Sequence, residues 1–351
     1  GSLSVTPDAL DGLVPGTASV QVSASGAGRL NVPAILRALD RYPYGCTEQI
    51  ASRAMPLVYL NDVAIQAGLA GDPDVQGRVQ EAIAGVLANQ SASGSFGLWS
   101  PGGDDMWLDA YVTDFLTRAR QKGFAVPAEG LDLALGNLKN RLAYAGDFES
   151  GGEAIAYGLY VLASNGRASI GDLRYYAETK LEAFSTPLAK AQIGAALALY
   201  GDKPRAEMVF RRALGDLDTR RDLSQSRWQD YGSTLRDGAA MLPLASETRT
   251  GIDLVSLSRR VEQERQSSLY TSTQEDAWSL MAAHALMQNL SEPNLVADGE
   301  PVRGPLFRGL EGETLAMDPL DLVNRGDRAV EVGVTVRGVP KEPEPAGGNF
   351  Y

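Results

Sequence analysis

The feature that most constrains the fold is a series of related, alanine-rich helical segments in the middle of the chain. Across residues 32–289, apolar side chains recur at spacings of three and four, and short Gly, Pro, Asp or Asn breaks separate the stretches. Five of these segments have similar beginnings, at 107–111, 153–157, 188–192, 235–239 and 274–278. Their starts lie roughly 40 residues apart, which is the length of one helical hairpin. The middle of the chain is therefore predicted to be all-helical and repetitive.

Each of these segments is followed by a more charged helical stretch. A helix rich in Ala and Gly can pack on both sides, whereas a charged partner can leave one face in water. The alternation predicts inner and outer helices. About twelve helices in six hairpins favour a closed α/α toroid over an open superhelix.

Both ends of the chain have sequence patterns that are typical of β-strands. Residues 17–24 alternate valines with small polar residues, and Gly-punctuated apolar segments at 314–317 and 329–336 follow a break at 292–294. Each β piece is too small to fold alone, so we expect both ends to pair into one β domain that carries the helical body as an insertion. The predicted boundaries are 1–30 and 292–351 for the two β segments, the second ending in a linker-like stretch, and 31–291 for the helical body.

Composition excludes several classes of function. The formal charge of −12, from 44 acidic residues against 32 Lys and Arg, would be repelled by nucleic acids and by anionic lipid. A single cysteine, Cys46, rules out an internal disulfide and a Cys-rich zinc site, and a single histidine, His284, rules out multi-His metal ligation. We therefore expect no metal and no cofactor. The sequence contains no apolar run of about 18 residues and no signal pattern, so direct membrane contact is not expected either.

The chemistry is concentrated around Cys46. Pro43 and Gly45 predict a tight turn that leads into a long helix, so Cys46 should lie at or just before a helix N-terminus. Exposed amides and the helix dipole at such a position would favour the thiolate and lower the pKa of the thiol. Gln49 lies one turn further on the same side of the helix. Its carboxamide carbon should be within reach of the Cys46 sulfur.

The stretch Tyr-Pro-Tyr-Gly-Cys-Thr-Glu-Gln at 42–49 resembles the internal thioester motif of the alpha-2-macroglobulin and complement family, bacterial members most of all. In that motif Gly-Cys-x-Glu-Gln follows an aromatic-rich turn. The resemblance continues at 94–99, 107–116 and 273–278, and so covers most of the helical body. It implies an α/α toroid of the terpenoid-cyclase-like type, inserted into a β domain of the CUB type.

The resemblance also implies a function. Cys46 and Gln49 would be joined as a thioester, and a lysine amine of a protease that has cut a bait segment elsewhere would attack the Gln49 carbonyl. The partners would be proteases and the other domains of a longer protein, and the event would be a single-use covalent trap rather than enzymatic turnover. Residues 100–105 contain no histidine that could divert the acyl group to hydroxyls. The full-length protein is expected in the periplasm, with a membrane anchor as an option.

Other interpretations remain open at the level of sequence. An α/α-toroid glycan-processing enzyme would need paired carboxylates, and Asp104 with Asp105, or Glu275 with Asp276, are the candidates. A helical interaction scaffold without covalent chemistry is a further alternative. A Cys46–His284 protease dyad is formally possible, although we expect His284 to be a structural residue.

The residues around the motif have two possible roles each. Glu48 could orient the Cys–Gln turn, or could simply be a first-turn acid that favours the helix dipole. Four aromatic residues could shield the site from water or could be ordinary packing groups. These are Tyr42, Tyr44, Trp99 and Trp107.

Overall fold

The computed structural model divides the chain into two compact units. The strand unit comprises Gly1–Pro33, Asp62–Asp72 and Leu290–Tyr351, and the helical unit comprises Ala34–Asn61 and Pro73–Asn289. The residues that the structure describes are 1–24, 30, 32, 35–36, 39, 45–64, 75–219, 230–267, 270–289, 294–302, 306–317, 319–326, 330 and 332–342.

The strand unit contains two antiparallel sheets. Its strands are β1 (Ser2–Val5), β2 (Ser19–Ala24), β3 (Leu295–Ala297), β4 (Glu300–Val302), β5 (Leu306–Glu311), β6 (Leu320–Asn324) and β7 (Val332–Arg337). The strand orders are β1-β6-β3-β4 and β5-β2-β7. In the second sheet Ser19 lies opposite both Glu311 and Arg337. The two ends of the chain therefore pair with each other, as predicted, and bury valines and leucines of both ends in one core.

One strand prediction is wrong. Residues 314–317 lie in a short helix, α12 (Gly312–Met317), which follows β5 directly. A four-residue apolar run cannot distinguish strand from helix by periodicity, and Leu, Ala and Met all favour a helix. Strand β1 was not predicted, because its partner β6 lies more than 300 residues away in sequence. The CUB-type assignment and the predicted domain boundaries stay predictions.

Eleven further α-helices are described between residues 47 and 289, together with a short 3-10 helix at Leu181–Ala183. They are α1 (Thr47–Ala64), α2 (Val75–Ala88), α3 (Met106–Gln121), α4 (Ala128–Ala143), α5 (Glu153–Ser164), α6 (Ile170–Thr179), α7 (Pro187–Leu199), α8 (Lys203–Thr219), α9 (Thr234–Thr248), α10 (Leu254–Ser267) and α11 (Thr273–Asn289). From α3 onward the odd-numbered helices are the inner ones: α7, for example, is buried throughout residues 187–197. The even-numbered helices bury one stripe, as α4 does with Leu131, Ala134, Leu135 and Leu138.

The inner helices contact one another in sequence order and return to the first. Helices α3, α5, α7, α9 and α11 pack consecutively. Helix α1 joins α3 through Ser52 and Tyr111, whose hydroxyls lie 2.8 Å apart, and joins α11 through the 2.7 Å hydrogen bond from Gln274 to Glu48. We call this arrangement the inner circuit. The mainly helical fold and the inner and outer helices are confirmed, whereas the toroid assignment stays a prediction.

Candidate functional site

Cys46 is the residue immediately before helix α1. Its carbonyl accepts the first helical hydrogen bond, from the Ile50 amide at 2.9 Å, and its side chain is buried. The Gln49 carboxamide folds back toward it, so that Gln49 Oε1 accepts a 3.4 Å hydrogen bond from the Cys46 amide. The two residues therefore meet at the helix N-terminus, as their spacing predicts. That a thioester joins them stays a prediction.

The expected direction of the Cys46 pKa shift is wrong. Burial raises the pKa of the thiol, and the nearby Glu48 carboxylate adds to the rise. The amides of Gln49 and Glu48 do point at the sulfur and act in the opposite direction, as the helix N-terminus should, but desolvation outweighs them. The free sulfur is therefore held as a thiol rather than as a thiolate.

Thr47 fixes the first turn of α1 to a neighbouring loop. Its amide donates to the Leu98 carbonyl at 2.9 Å, and its hydroxyl donates to the Gly97 carbonyl at 2.6 Å. The loop needs glycine at 97, because a Cβ there would lie 2.0 Å from the Ser100 carbonyl oxygen. The segment 94–99, noted for its family resemblance, thus holds the cysteine turn in place.

Asp109 in turn holds that loop. Its carboxylate is buried and accepts a 2.7 Å hydrogen bond from the Phe96 amide and a 2.8 Å bond from Asn137. Burial raises the pKa of Asp109 to about 6, although these donors and Arg141 act against the rise. Sequence reasoning did not single out Asp109, because an acid in the first turn of α3 is expected for dipole reasons alone.

Glu48 faces the interior of the helical unit. Its Oε1 accepts hydrogen bonds from Ser52 at 2.6 Å and from Gln274 at 2.7 Å, and the Thr273 hydroxyl lies 3.3 Å away. Gln274 also donates to Ser52 at 3.0 Å and accepts from the Trp278 indole at 3.1 Å. Glu48 therefore does more than favour the helix dipole: it ties the turn that carries Cys46 and Gln49 to helix α11.

The comparisons with known proteins agree with this geometry. The family model of the A-macroglobulin TED domain, the thioester domain, matches residues 20–277. The chain belongs to the alpha-2-macroglobulin family. It is 32% identical to the alpha-2-macroglobulin of Escherichia coli (strain K12) over 98% of this chain and 22% of that protein. The chain thus spans about a fifth of the length of the curated relatives it matches first.

Two solved structures of alpha-2-macroglobulins illustrate the similarity. The crystal structure of Salmonella alpha-2-macroglobulin reacted with methylamine has a TM-score of 0.79 and 30% identity, covering 99% of this chain and 24% of that one. Escherichia coli alpha-2-macroglobulin activated by porcine elastase has a TM-score of 0.64 and 29% identity, covering 99% of this chain and 32% of that one.

The aromatic residues near this thioester-domain motif divide into two groups. Trp107 is buried, and its ring centroid lies 5.1 Å from that of Tyr111 and 5.0 Å from that of Tyr231. Trp99 is 69% exposed, so it is not a packing group of the core, and its shielding role stays a prediction. The predicted shielding roles of Tyr42 and Tyr44 fall on residues outside the described ranges.

His284 does not form a dyad with Cys46. Its ring packs against Tyr59 at 4.8 Å, and Tyr59 lies thirteen residues along α1 from Cys46, a rise of roughly 20 Å. Burial, with help from Lys122, lowers the pKa of His284 to about 4. The imidazole is therefore neutral and packed, beside a cavity of about 450 Å³, which is what we expect of a structural histidine.

The carboxylates proposed for a glycan-processing site are all engaged elsewhere. Asp104 is exposed and pairs with Arg141, and Asp105 caps α3 by accepting from the Leu108 amide at 3.0 Å. Glu275 accepts from Ser233 and from the Ser272 amide, and Asp276 from Arg265 and Thr271. Among the described residues, no group of three or more His, Cys, Asp or Glu could hold a metal. No helix within the same ranges is long and apolar enough to cross a membrane.

Proposed function

We propose that this chain is the acyl-transfer region of a longer alpha-2-macroglobulin-like protease inhibitor, in which Cys46 and Gln49 form an internal thioester. The observation that carries the proposal is the Gln49 carboxamide folded against Cys46 at the start of α1. Family membership supports it. So do the relatives whose structures are described as reacted with methylamine and as activated by porcine elastase.

The chemistry consists of two acyl transfers at one carbon. In the first, the Cys46 sulfur bonds to the side-chain carbonyl carbon of Gln49 and ammonia leaves. In the second, a lysine amine bonds to the same carbon, the carbon–sulfur bond breaks, and the proton lost by the amine passes to the departing sulfur. The products are an amide link to the protease and a free Cys46 thiol. Since nothing restores the thioester, the molecule is a single-use trap and not an enzyme.

The surroundings of Cys46 suit both states of this reaction. The amides of Glu48 and Gln49 point at the sulfur and would stabilise negative charge on it as the carbon–sulfur bond breaks. Burial then favours uptake of the proton, because the pKa of the free thiol is raised. Proteases, the other domains of a longer chain and the periplasm are the partners and location that we propose with this function.

Mass spectrometry of freshly prepared full-length protein tests the thioester. The peptide that carries Cys46 and Gln49 should lack the mass of one ammonia, and methylamine should restore one thiol while adding its own mass at Gln49. Cys46→Ala is the control and should show no deficit. An equal deficit in that variant, or a wild-type protein that releases no thiol with methylamine, would rule out the Cys46–Gln49 assignment.

A second experiment tests lysine capture. Trypsin treated by reductive methylation keeps its positive charges but loses its primary amines. It should cleave the full-length protein and form no covalent adduct, whereas untreated trypsin should form an adduct that survives denaturing electrophoresis and is missing with Cys46→Ala. Adducts of equal yield with both forms of trypsin would contradict capture through lysine.

A further inference from the structure

Tyr231 reaches across the end of the inner circuit. It lies two residues before Ser233, the N-terminal cap of α9. In the inner circuit of six helices, α9 lies opposite α3. Its ring nevertheless packs on Trp107 in the first turn of α3, at 5.0 Å, and its hydroxyl makes a long, 3.4 Å hydrogen bond to Asp105. Tyr231 therefore connects opposite sides of this end of the helical unit.

Cys46 lies at the same end and the same level. Asp105 caps α3 as Cys46 caps α1. Ser52 and Tyr111 each lie six residues beyond the cap of their helix, and their hydroxyls share a 2.8 Å hydrogen bond. Seven residues further along each helix, which is about two turns, Arg118 donates a 3.1 Å hydrogen bond to the Tyr59 hydroxyl. Helices α1 and α3 thus run side by side with their caps level. Consistent with this proximity, burial raises the pKa of Tyr231 to about 12, with Asp105, Glu48 and Cys46 contributing.

The backbone of Tyr231 is held in an unfavourable conformation. Its φ angle is 54°, in the left-handed region that side chains other than glycine rarely adopt. Both neighbours of Tyr231 lie against the buried Arg236. Asp230 forms a 2.5 Å ion pair with the buried Arg236, and a Cβ at Gly232 would lie 2.1 Å from Arg236 Nη2. Glycine would adopt this backbone conformation without strain. The presence of a tyrosine here indicates that its side chain has a role at this position.

The geometry points to Tyr231 as a shielding residue, whose ring covers the Cys46 end of the inner circuit and slows the access of water to the Gln49 acyl carbon. The inference rests on the proposed thioester. Without the shield, water would attack that carbon, the carbon–sulfur bond would break, one proton of the water would pass to the sulfur, and residue 49 would become glutamate. Tyr231 acts by excluding water and takes no part in the bond changes.

Three variants of the full-length protein test this role. Tyr231→Gly removes the ring and relieves the backbone, and Tyr231→Phe keeps the ring but removes the hydroxyl that meets Asp105. Arg249→Gly is the matched control: Arg249 has a φ of 52° at the opposite end of the same helix, so this change relieves the same kind of backbone without touching the Cys46 end. Thiol release in amine-free buffer gives the lifetime of the thioester, and far-UV circular dichroism checks that each variant is folded.

We expect thiol release from Tyr231→Gly to be about tenfold faster than from the wild type, which corresponds to about 1.4 kcal/mol. Tyr231→Phe should stay within about twofold, and Arg249→Gly should match the wild type. Equal lifetimes for folded Tyr231→Gly and the wild type would overturn the shielding role while leaving the thioester intact. A wild-type protein without the ammonia deficit would overturn the proposed function, and this inference with it. Faster release from Arg249→Gly as well would also contradict a local shield.

Discussion

Replacing Arg236 by leucine should destabilise the helical unit strongly. The Arg236 guanidinium is fully buried, with Nη2 2.5 Å from an Asp230 oxygen and Nε 2.9 Å from an Asp237 oxygen, and both carboxylates are buried too. Arg236→Leu would leave two acids in the core without their cation. Breaking such a pair by removing one partner costs about 3–5 kcal/mol, because the remaining charge is desolvated and unpaired. For a unit of this size, that corresponds to a loss of roughly 6–20 °C in Tm.

Thermal unfolding followed by far-UV circular dichroism measures this loss, with Arg212→Leu as the matched control. Arg212 pairs with Glu182 at 2.8 Å on the surface, where both side chains are at least half exposed. Its replacement should move Tm by no more than about 4 °C. If Arg236→Leu lowers Tm no more than Arg212→Leu does, the buried ion pairs do not stabilise this unit as we argue.

Three further predictions concern the residues that hold the cysteine turn. The pKa of Asp109 is about 6 in the folded protein and 3.8 in the unfolded chain, so the folded state binds more protons between these two values. The contribution of Asp109 to the free energy of unfolding is therefore greatest below about pH 4, and about 3 kcal/mol of it is lost as pH rises through 6. Urea titrations from pH 4 to 7 should show that the free energy of unfolding falls less steeply with pH in Asp109→Asn than in the wild type, and an equal pH dependence would contradict the raised pKa of Asp109. Gly97→Ala places a Cβ against a backbone carbonyl and should lower the free energy of unfolding by at least about 2 kcal/mol. Gly136→Ala lies in open space within α4 and should leave the free energy of unfolding unchanged or raise it, so equal changes for the two variants in urea titrations would refute the steric argument. Gln274→Leu removes the two buried hydrogen bonds that Gln274 donates to Glu48 and Ser52, so the free energy of unfolding should fall by about 1–3 kcal/mol and a smaller fraction of the protein should show the ammonia deficit. Gln80→Leu, which removes an exposed hydrogen bond, should change neither quantity, and an unchanged deficit in Gln274→Leu would show that Gln274 has no bearing on the thioester.

Much of the candidate site is local, and the sequence alone could predict it. The three-residue spacing of Cys46 and Gln49 fixes their relative placement, because a helix turns once in 3.6 residues wherever it lies. The same regularity identified the inner helices. The five similar Ala-rich segments of the sequence begin within one residue of the start of α3, α5, α7, α9 and α11. Local periodicity also separated the helical body from the strands at both ends of the chain.

Other properties depend on groups that come together only when the chain folds. The pKa of Cys46 is raised because burial outweighs the helix N-terminus, and burial is a property of the whole packed unit. Glu48 is oriented by Gln274, 226 residues away, and Tyr231 meets Trp107 across the inner circuit. The helix at 312–317 was misassigned for the same reason, since an apolar run of four residues takes its conformation from what it packs against. The sequence determined which atoms could react with each other, whereas the tertiary structure decided their protonation, their partners and their access to water, because these depend on contacts between residues that are distant in the chain.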